Sequence, residues 1–417
     1  MMQTDGADAT DPASELVLDA AAVLYASGQS TGMTLAAVDR LNKGLGTTGA
    51  LVPTWASLQL VSPRGAVRVA AGSPTGLNMR RVAATMTVVD RAQDGPLDAG
   101  TVRDELALAR TQPISNTLIF SADCATGAGA LAVIFGAQHP AVVLVAALSA
   151  ALGGLARRGV GKLHGEALTQ AFVAALIAGL VGVVADRLHV ADATGLVVLC
   201  PAMVLVPGPH ILNGALDLLS LRVSLGMARL GFAGLVLTAV ATGLILGLAV
   251  GDLDIAVGQA GIPVPVGVDV LAAGVAAGSY PIFFSMPYRM IVWPVAVGML
   301  VHAAHWCALA VWHVDVATAA FVSALIAGVL LVPIAHHLRM PFAAIGFASV
   351  VALVPGVYVF RMLSGLVRFA YAPTPDLLTA LASDGAVAAL IIAGLASGLA
   401  LPMHAYAVAT ANRVTRV

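Results

Sequence analysis

Apolar stretches of about 20 residues, the length that a helix needs to cross a bilayer, recur from Thr117 almost to the end of the chain. Hydrophobic residues make up 59% of the 417 residues and charged residues only 10%, whereas a soluble protein carries about 25% charged residues. The pattern therefore predicts a polytopic α-helical membrane protein. We expect about ten transmembrane helices, near residues 117–136, 139–156, 166–185, 191–206, 225–250, 266–286, 290–311, 316–335, 341–359 and 385–410.

Charged residues are concentrated near the N-terminus, and this places the main domain boundary. The first 115 residues hold nearly half of the charged residues of the chain. We expect residues 1–13 to be a disordered tail and residues 14–115 to form a small soluble α+β domain in the cytoplasm. Its predicted elements are helices at 14–26, 31–44, 77–93 and 99–110 and strands at 55–62 and 66–71. Because this part of the sequence contains no histidine and no cysteine, we expect it to gate, dock or bind a ligand rather than catalyse.

The membrane region contains an internal repeat. Residues 193–208 read ATGLVVLCPAMVLVPG and residues 341–356 read PFAAIGFASVVALVPG, and both end in Leu-Val-Pro-Gly at an offset of 148. The same offset, within a few residues, carries the first three spans onto the sixth, seventh and eighth. We therefore expect two five-helix repeats, at 116–260 and 261–417. An odd number of spans inverts the second copy in the bilayer, and inverted repeats are a common plan of secondary transporters.

The basic residues predict the orientation of the chain. With a cytoplasmic N-terminal domain, cytoplasmic segments hold nine basic residues and external segments hold three, in agreement with the positive-inside tendency. The cytoplasmic set is Arg157, Arg158, Lys162, Arg222, Arg229, Arg289, Arg339, Arg413 and Arg416, and the external set is Arg187, Arg361 and Arg368. Both termini are then expected in the cytoplasm.

The segment after the fourth span is the strongest candidate for a substrate site. Pro207 lacks a backbone N–H and Gly208 permits unusual backbone angles, so the helix is expected to break there. At a break, freed carbonyls can bind cations and a new helix N-terminus can hold a carboxylate. A zwitterionic amino acid carries both groups. We therefore expect Pro207, Gly208 and His210 to line the site, Asn213 to bind a hydroxyl or amide, and Asp217 to bind an ammonium or a proton. The alternative is a capped helix in a cytoplasmic loop.

Three further residues are candidates for transport chemistry. A charged side chain at the centre of a span costs about 2.5–3.5 kcal/mol and usually faces a cavity or a partner. Asp123 lies inside the first span, so it is our first candidate for proton coupling, unless it lies at the solvated end of the helix. Arg361, at an offset of 148 from Asn213, could bind a substrate carboxylate or lie in an external loop. Tyr358 could donate a hydrogen bond nearby.

Other residue types indicate what the chain does not bind. The net charge of −1 and the scattered arginines provide no basic patch for nucleic acid. Cys124, Cys200 and Cys307 lie in apolar stretches, which is typical of buried packing residues. His302 and His305 share one face of the seventh span, but two imidazoles without a third ligand argue against a metal site. We expect neither a metal nor a cofactor, and a packing or hydrogen-bonding role for both histidines.

Three GxxxG motifs lie in the predicted spans, at Gly243/Gly247, Gly274/Gly278 and Gly394/Gly398. In apolar helices this spacing lets two backbones approach each other closely. We therefore expect these glycines to mark contacts between helices.

Two segments carry a resemblance to a known family. Residues 206–219 (VPGPHILNGALDLL), followed by Arg222 and a glycine-rich span, resemble a module of the threonine/serine exporter family, and residues 25–46 (YASGQSTGMTLAAVDRLNKGLG) resemble its N-terminal helices. The resemblance covers about residues 14–411. It implies a cytoplasmic N-terminal domain, ten spans in a bacterial inner membrane, and export of L-threonine and L-serine driven by the proton motive force.

The alternative functions differ in substrate or in class. Some relatives are associated with small dicarboxylates such as succinate, so an exporter of dicarboxylates is the alternative within the same class. Asp217 favours an ammonium and Arg361 a carboxylate, and together they fit a zwitterion without excluding a diacid. A membrane-embedded enzyme would need a nucleophile–base pair or a metal set within the spans, and the sequence shows neither. A soluble domain that acts as an enzyme, or as a sensor that regulates the pore, is a further alternative.

Overall fold

The computed structural model describes residues 11–190, 194–253, 264–338, 340 and 342–414. These residues form sixteen helices, α1 to α16, and one three-stranded sheet. The first ten residues of the predicted tail, and the predicted boundary between the two repeats at 260/261, lie outside the described residues.

An N-terminal unit, residues 11–110, contains four helices and the sheet. Its helices are α1 (Pro12–Ala26), α2 (Thr31–Leu45), α3 (Met79–Arg91) and α4 (Ala99–Arg110), and its strands are β1 (Ala50–Pro53), β2 (Ser57–Val61) and β3 (Val67–Ala71). The strands form an antiparallel meander in the order β1-β2-β3. Polar caps begin the helices, since Asp11, Ser30, Asn78 and Asp98 each accept a backbone N–H of the first turn.

Two details of this unit differ from the sequence-based expectation. The tail was expected to extend to residue 13, but α1 begins at Pro12 because Asp11 caps it and a proline suits the first helical position. Strand β1 was not expected, because Ala50–Pro53 is too short to show an alternating pattern. Its register places Leu51 opposite Leu60 of β2, and both side chains are buried.

The rest of the chain is a bundle of long apolar helices. They are α5 (Thr117–Ile134), α6 (Pro140–Lys162), α7 (Ala167–Arg187), α8 (Thr194–Val204), α9 (Gly208–Leu219), α10 (Val223–Ala249), α11 (Val266–Phe283), α12 (Val292–Ala310), α13 (Val316–His337), α14 (Phe342–Val350), α15 (Gly356–Tyr371) and α16 (Pro375–Val414). Among the described residues, eight helices are long and apolar enough to cross a membrane, or up to ten spans are present if each of two bent pairs counts as one. The upper figure agrees with the expected ten.

The two bent pairs are the predicted fourth and ninth spans. The chain bends by 59° between α8 and α9 and by 62° between α14 and α15. Both breaks lie at Val-Pro-Gly, and Pro207 and Pro355 stand just before the new helices. Helix α9 continues for twelve residues and α15 for sixteen. The fourth span therefore does not end at its break, where its expected bound of 206 placed it, and the ninth runs well past its expected bound of 359. The last span begins at Pro375 rather than near residue 385.

Glycines bring two pairs of helices into backbone contact. A Cβ atom on Gly247 of α10 would lie 2.5 Å from the carbonyl oxygen of Leu176 in α7, and one on Gly398 of α16 would lie 2.6 Å from that of Phe321 in α13. The expected contact role of these GxxxG motifs is confirmed. Gly274 of α11 is also tightly packed, but against the side chain of Met299.

The N-terminal unit packs on one end of the bundle. The first two N–H groups of α3, on Met79 and Arg80, donate to the carbonyl oxygens of Phe284 and Ser285 at the end of α11. Each of these two N···O distances is 3.0 Å. Free N–H groups at a helix start thereby satisfy free carbonyls at a helix end. Trp55 contacts the ring of Phe232 in α10 with centroids 5.5 Å apart. We call this end of the bundle the N-terminal side.

Candidate functional site

Three of the predicted site residues lie on one face of α9. His210, Asn213 and Asp217 are spaced by three and four residues, which aligns their side chains along a helix. Their exposed fractions are 6%, 2% and 2%, so they are not in a solvated loop. The break at Pro207 sets the direction of this helix and turns these polar groups into the protein.

Arg229 of α10 is the partner of Asp217. Its Nε lies 3.0 Å from Oδ2 of Asp217, and the Arg229 side chain is fully buried. Arg222, which is partly exposed, approaches the other carboxylate oxygen at 3.4 Å. The sequence-based orientation counted Arg229 among the cytoplasmic segments, and the structure places this residue in the second turn of α10. A buried arginine of this kind needs a carboxylate partner, since an unpaired charge there is costly.

A segment of the N-terminal unit covers this ion pair. Residues 27–31, between α1 and α2, are all buried. The hydroxyl of Thr31 donates to Oδ2 of Asp217 over 2.9 Å and accepts from Nη2 of Arg229 over 3.3 Å. The amide of Asn213 donates to the carbonyl oxygen of Gly28 over 3.3 Å. One threonine hydroxyl therefore bridges both members of a buried ion pair.

Tyr25 of α1 completes the wall beside Arg229. The guanidinium carbon of Arg229 lies 5.2 Å from the centre of the Tyr25 ring, a distance at which a cation is attracted to an aromatic face. The phenol donates to the carbonyl oxygen of Thr54 over 2.8 Å. Burial raises the pKa of Tyr25 to about 12, so the ring stays neutral at physiological pH and does not compete with Asp217 for Arg229.

Some polar atoms around the pair have no hydrogen-bond partner among the described residues. They are Nε2 of Gln29 and Oδ1 of Asn213, while the ring of His210 lies beside the backbone of Pro74 and Thr75. Buried polar atoms are nearly always paired in folded proteins, so a group of unpaired ones needs an explanation. Together they provide donors and acceptors that a small polar ligand could use.

Gly208 brings the first break against α14, the helix that precedes the second break. A Cβ atom on Gly208 would lie 1.7 Å from Cζ of Phe347 in α14, so only glycine permits this contact. A small cavity adjoins the same place, lined by Leu131, Met203, Val206, Tyr280, Phe347, Val351, Val354 and Gly356. Pro207 and Gly208 thus shape the contact between the halves of the bundle. The unpaired oxygen of Asn213 belongs to the next turn of α9, and the unpaired nitrogen of Gln29 to the N-terminal unit.

Asp123 and Arg361 lie apart from the residues on α9. Asp123 is buried in α5, and its carboxyl group lies beside the backbone of Phe283 in α11. Arg361 lies within α15, not in an external loop, and its Nε is 3.2 Å from Oδ2 of Asp384 in α16. Tyr358 lies beneath the same guanidinium at 6.0 Å. The predicted residues therefore divide into groups on α5, α9 and α15.

Four polar residues, three in the spans and Thr31 in the N-terminal unit, were missed by sequence reasoning. Thr31 and Arg229 complete the group on α9, and Asp384 pairs with Arg361. Asp269 of α11 lies 2.8 Å from Nδ1 of His302. Asp269 carried a usable signal, because it is an acid inside an apolar span, as Asp123 is. The signal for the others is weak, because a polar residue near the end of a span also fits a loop.

Comparison with known families identifies the chain. Residues 15–251 match the family described as "Putative threonine/serine exporter", and residues 269–405 match a second family described as "Threonine/Serine exporter, ThrE". The chain belongs to the threonine/serine exporter family. No curated protein and no solved structure matches it. The exporter family is one of transporters, not of enzymes, and its helices make the chain a multi-pass membrane protein.

Proposed function

We propose that this exporter carries L-threonine and L-serine, and that Asp217 and Arg229 bind the two charged groups of the amino acid. The observation that carries the proposal is the position of Thr31, whose hydroxyl bridges Asp217 and Arg229 while both remain buried. Asp217 is the partner of the substrate ammonium and Arg229 that of its carboxylate. The unpaired Oδ1 of Asn213 accepts from the substrate hydroxyl.

The charges of the site favour a zwitterion over a dicarboxylate. A buried ion pair that opens to admit an amino acid exchanges each partner for a group of the same sign, so neither residue is left unpaired. Removing one partner of such a pair without replacement costs about 3–5 kcal/mol. Succinate would satisfy Arg229 but would bring its second carboxylate towards Asp217, where like charges repel each other.

The N-terminal unit controls access to this site in the proposed cycle. Residues 27–31 cover Asp217, Asn213 and Arg229, so a substrate that arrives from the N-terminal side must displace them. The hydroxyl of Thr31 has the same chemistry as the side chain of the substrate and competes for the same partners. This contact supports a gating role for the N-terminal unit, one of the roles that its sequence left open.

Replacing Thr31 with valine should strengthen binding of L-threonine. Valine keeps the shape of threonine but removes the competing hydroxyl, and a hydrogen bond of about 1 kcal/mol corresponds to a change in Kd of about fivefold. Calorimetric titration of the purified protein measures the Kd. Thr34→Val is the matched control, because Thr34 lies one turn later in α2 and bonds only within its own helix. Unchanged or weaker binding by Thr31→Val would contradict the competition.

Inverted repeats provide the alternating-access mechanism of the proposed transport. Helix α7 packs on α10 as α13 packs on α16, and α9 contacts α14 and α16 as α15 contacts α8 and α10. Helices α5 and α11, the first of each half, pack against each other, as elements beside a two-fold axis do. These reciprocal contacts and the similar bends of 59° and 62° support two copies of one five-span unit.

The proposed orientation places the N-terminal unit and both termini in the cytoplasm of a bacterial cell. The excess of basic residues on that side persists when Arg229 and Arg361, which lie inside helices, are left out of the comparison. Export is then movement from the N-terminal side to the opposite side, coupled to protons that move inwards. Asp123, buried near the N-terminal side beside Phe283, is the proposed site of proton release.

Transport by the purified protein tests this function. Proteoliposomes loaded with labelled L-threonine, L-serine or succinate are given a pH gradient of either sign, and release is followed. We expect release of threonine and serine that depends on the gradient, and none of succinate. Release of succinate alone would favour the dicarboxylate alternative, and no release of any of the three would contradict the proposed function.

A further inference from the structure

We propose that Asp269, His302 and His305 form a proton-binding site on the side of the bundle opposite the N-terminal unit. This inference rests on the proposed proton-driven export, because it identifies where the driving proton binds. Neither Asp269 nor the pairing of His302 has a role in the substrate site on α9.

The three residues form a short polar chain between two helices. Oδ2 of Asp269 in α11 lies 2.8 Å from Nδ1 of His302 in α12, and each residue is only 6% exposed. His305 follows three residues later on the same face, with ring centroids 6.1 Å apart. Nδ1 of His305 is buried and has no hydrogen-bond partner among the described residues. Nδ1 of His305 is therefore available to bind a proton or to form a further hydrogen bond.

Asp269, His302 and His305 lie far from Asp123 along the bundle. Asp269 is the fourth residue of α11, whereas the Phe283 backbone beside Asp123 is the last. Fourteen residues of helix separate them by about 21 Å, at 1.5 Å per residue. The end of α11 contacts the N-terminal unit, so Asp269 lies towards the other side. His305 lies five residues before the end of α12 on that same side.

The neighbouring helices offer little competing charge. In α5, Asp123 and Cys124 lie in the half nearer the N-terminal side, away from Asp269. Helix α14 carries no titratable side chain. Helix α13 faces His305 at Ala319 and has Ser323 one turn further, while its own His336 and His337 lie at the N-terminal side. Asp315 caps α13 at the surface. The protonation of the pair is therefore set mainly by Asp269, His302 and His305 themselves.

The chemistry of an aspartate–histidine pair suits a proton site inside a membrane. A carboxylate beside a neutral imidazole carries one negative charge, and binding of one proton converts the pair into a carboxylate–imidazolium pair with no net charge. The buried pair is thus better tolerated when it has bound the proton, since a net charge in a span is costly. Imidazole is also the side chain whose charge changes near physiological pH.

Transport assays separate proton coupling from substrate movement. Variants Asp269→Asn and His302→Gln keep hydrogen-bonding groups but lose the proton site, so we expect them to exchange labelled for unlabelled L-threonine at equal pH as the wild type does. We expect both to lose release driven by a pH gradient and the proton flux that accompanies it, recorded with an enclosed pH dye. The controls are Asp315→Asn and His139→Gln, both exposed, and these should retain both activities.

Proton uptake by the purified protein tests the site independently of transport. Between about pH 5 and 8, where histidines titrate, Asp269→Asn should take up fewer protons than the control Asp315→Asn, because both keep every histidine but only the first leaves the buried His302 without its carboxylate partner. Equal uptake, or gradient-driven release by Asp269→Asn at the wild-type rate, would overturn the inference. A wild type that neither exchanges nor releases threonine, but takes up the extra proton, would contradict the proposed function and leave the proton site supported.

Discussion

Proteoliposomes that contain Asp217→Asn should release no L-threonine above the background of empty vesicles. The substitution removes the counter-charge of the substrate ammonium, and it leaves Arg229 buried without a carboxylate, which costs about 3–5 kcal/mol. Arg229→Gln should have the same effect, because the substrate carboxylate then lacks its cation and Asp217 loses its buried partner, keeping only the longer contact with Arg222. Initial rates of release at limiting substrate measure both effects.

Two controls distinguish binding from folding in this experiment. Asp186→Asn and Arg187→Gln change one acid and one base at the exposed end of α7, and both should transport normally. The exchange variant Asp217→Arg/Arg229→Asp restores an ion pair but reverses its direction. We expect it to recover yield and thermal stability without recovering transport, since the amino acid would meet the wrong charge at each end. Wild-type rates in Asp217→Asn would remove this pair from the substrate site.

Gly208→Ala should reduce both transport and stability by a large factor. The new methyl group would lie 1.7 Å from Cζ of Phe347, and Phe347 is itself buried. Forcing an extra carbon into a packed interior costs about 1–3 kcal/mol, and here the two broken spans must also move apart. The unfolding temperature in detergent and the rate of L-threonine release measure the two effects.

A second substitution should reverse this defect. Phe347→Leu shortens the side chain that the methyl group would strike, so Gly208→Ala/Phe347→Leu should be more stable and more active than Gly208→Ala alone. Gly231→Ala is the matched control in α10, because nothing lies within 4 Å of a Cβ atom there. If Gly208→Ala behaves as Gly231→Ala does, the close contact between Gly208 and Phe347 is not required for transport.

Local sequence signals predicted the helices and the breaks well. Apolar length predicted every span, because a bilayer fixes the length that a helix needs. Caps at Ser30 and Gly46 predicted the bounds of α2 closely. The Pro-Gly pairs at 207–208 and 355–356 predicted where two spans break, because proline lacks the N–H that would continue the preceding helix.

Contacts between distant parts of the chain could not be predicted in the same way. Thr31 lies 186 residues from Asp217 and 198 from Arg229, and nothing in either local sequence specifies the other. Arg229 near the start of a span fits a cytoplasmic loop as well as a buried pair, so its pattern was ambiguous. Asp269 and His302 are 33 residues apart, and only the packing of α11 against α12 brings them together.

Direct binding to the purified protein tests the proposed zwitterion site most sharply. Calorimetric titration with L-threonine, L-serine and succinate should give binding of both amino acids and none of succinate, and Asp217→Asn should abolish the binding while Asp186→Asn leaves it unchanged. Binding of succinate to the wild type, or binding of L-threonine that survives Asp217→Asn, would contradict the assignment of Asp217 and Arg229 to the substrate.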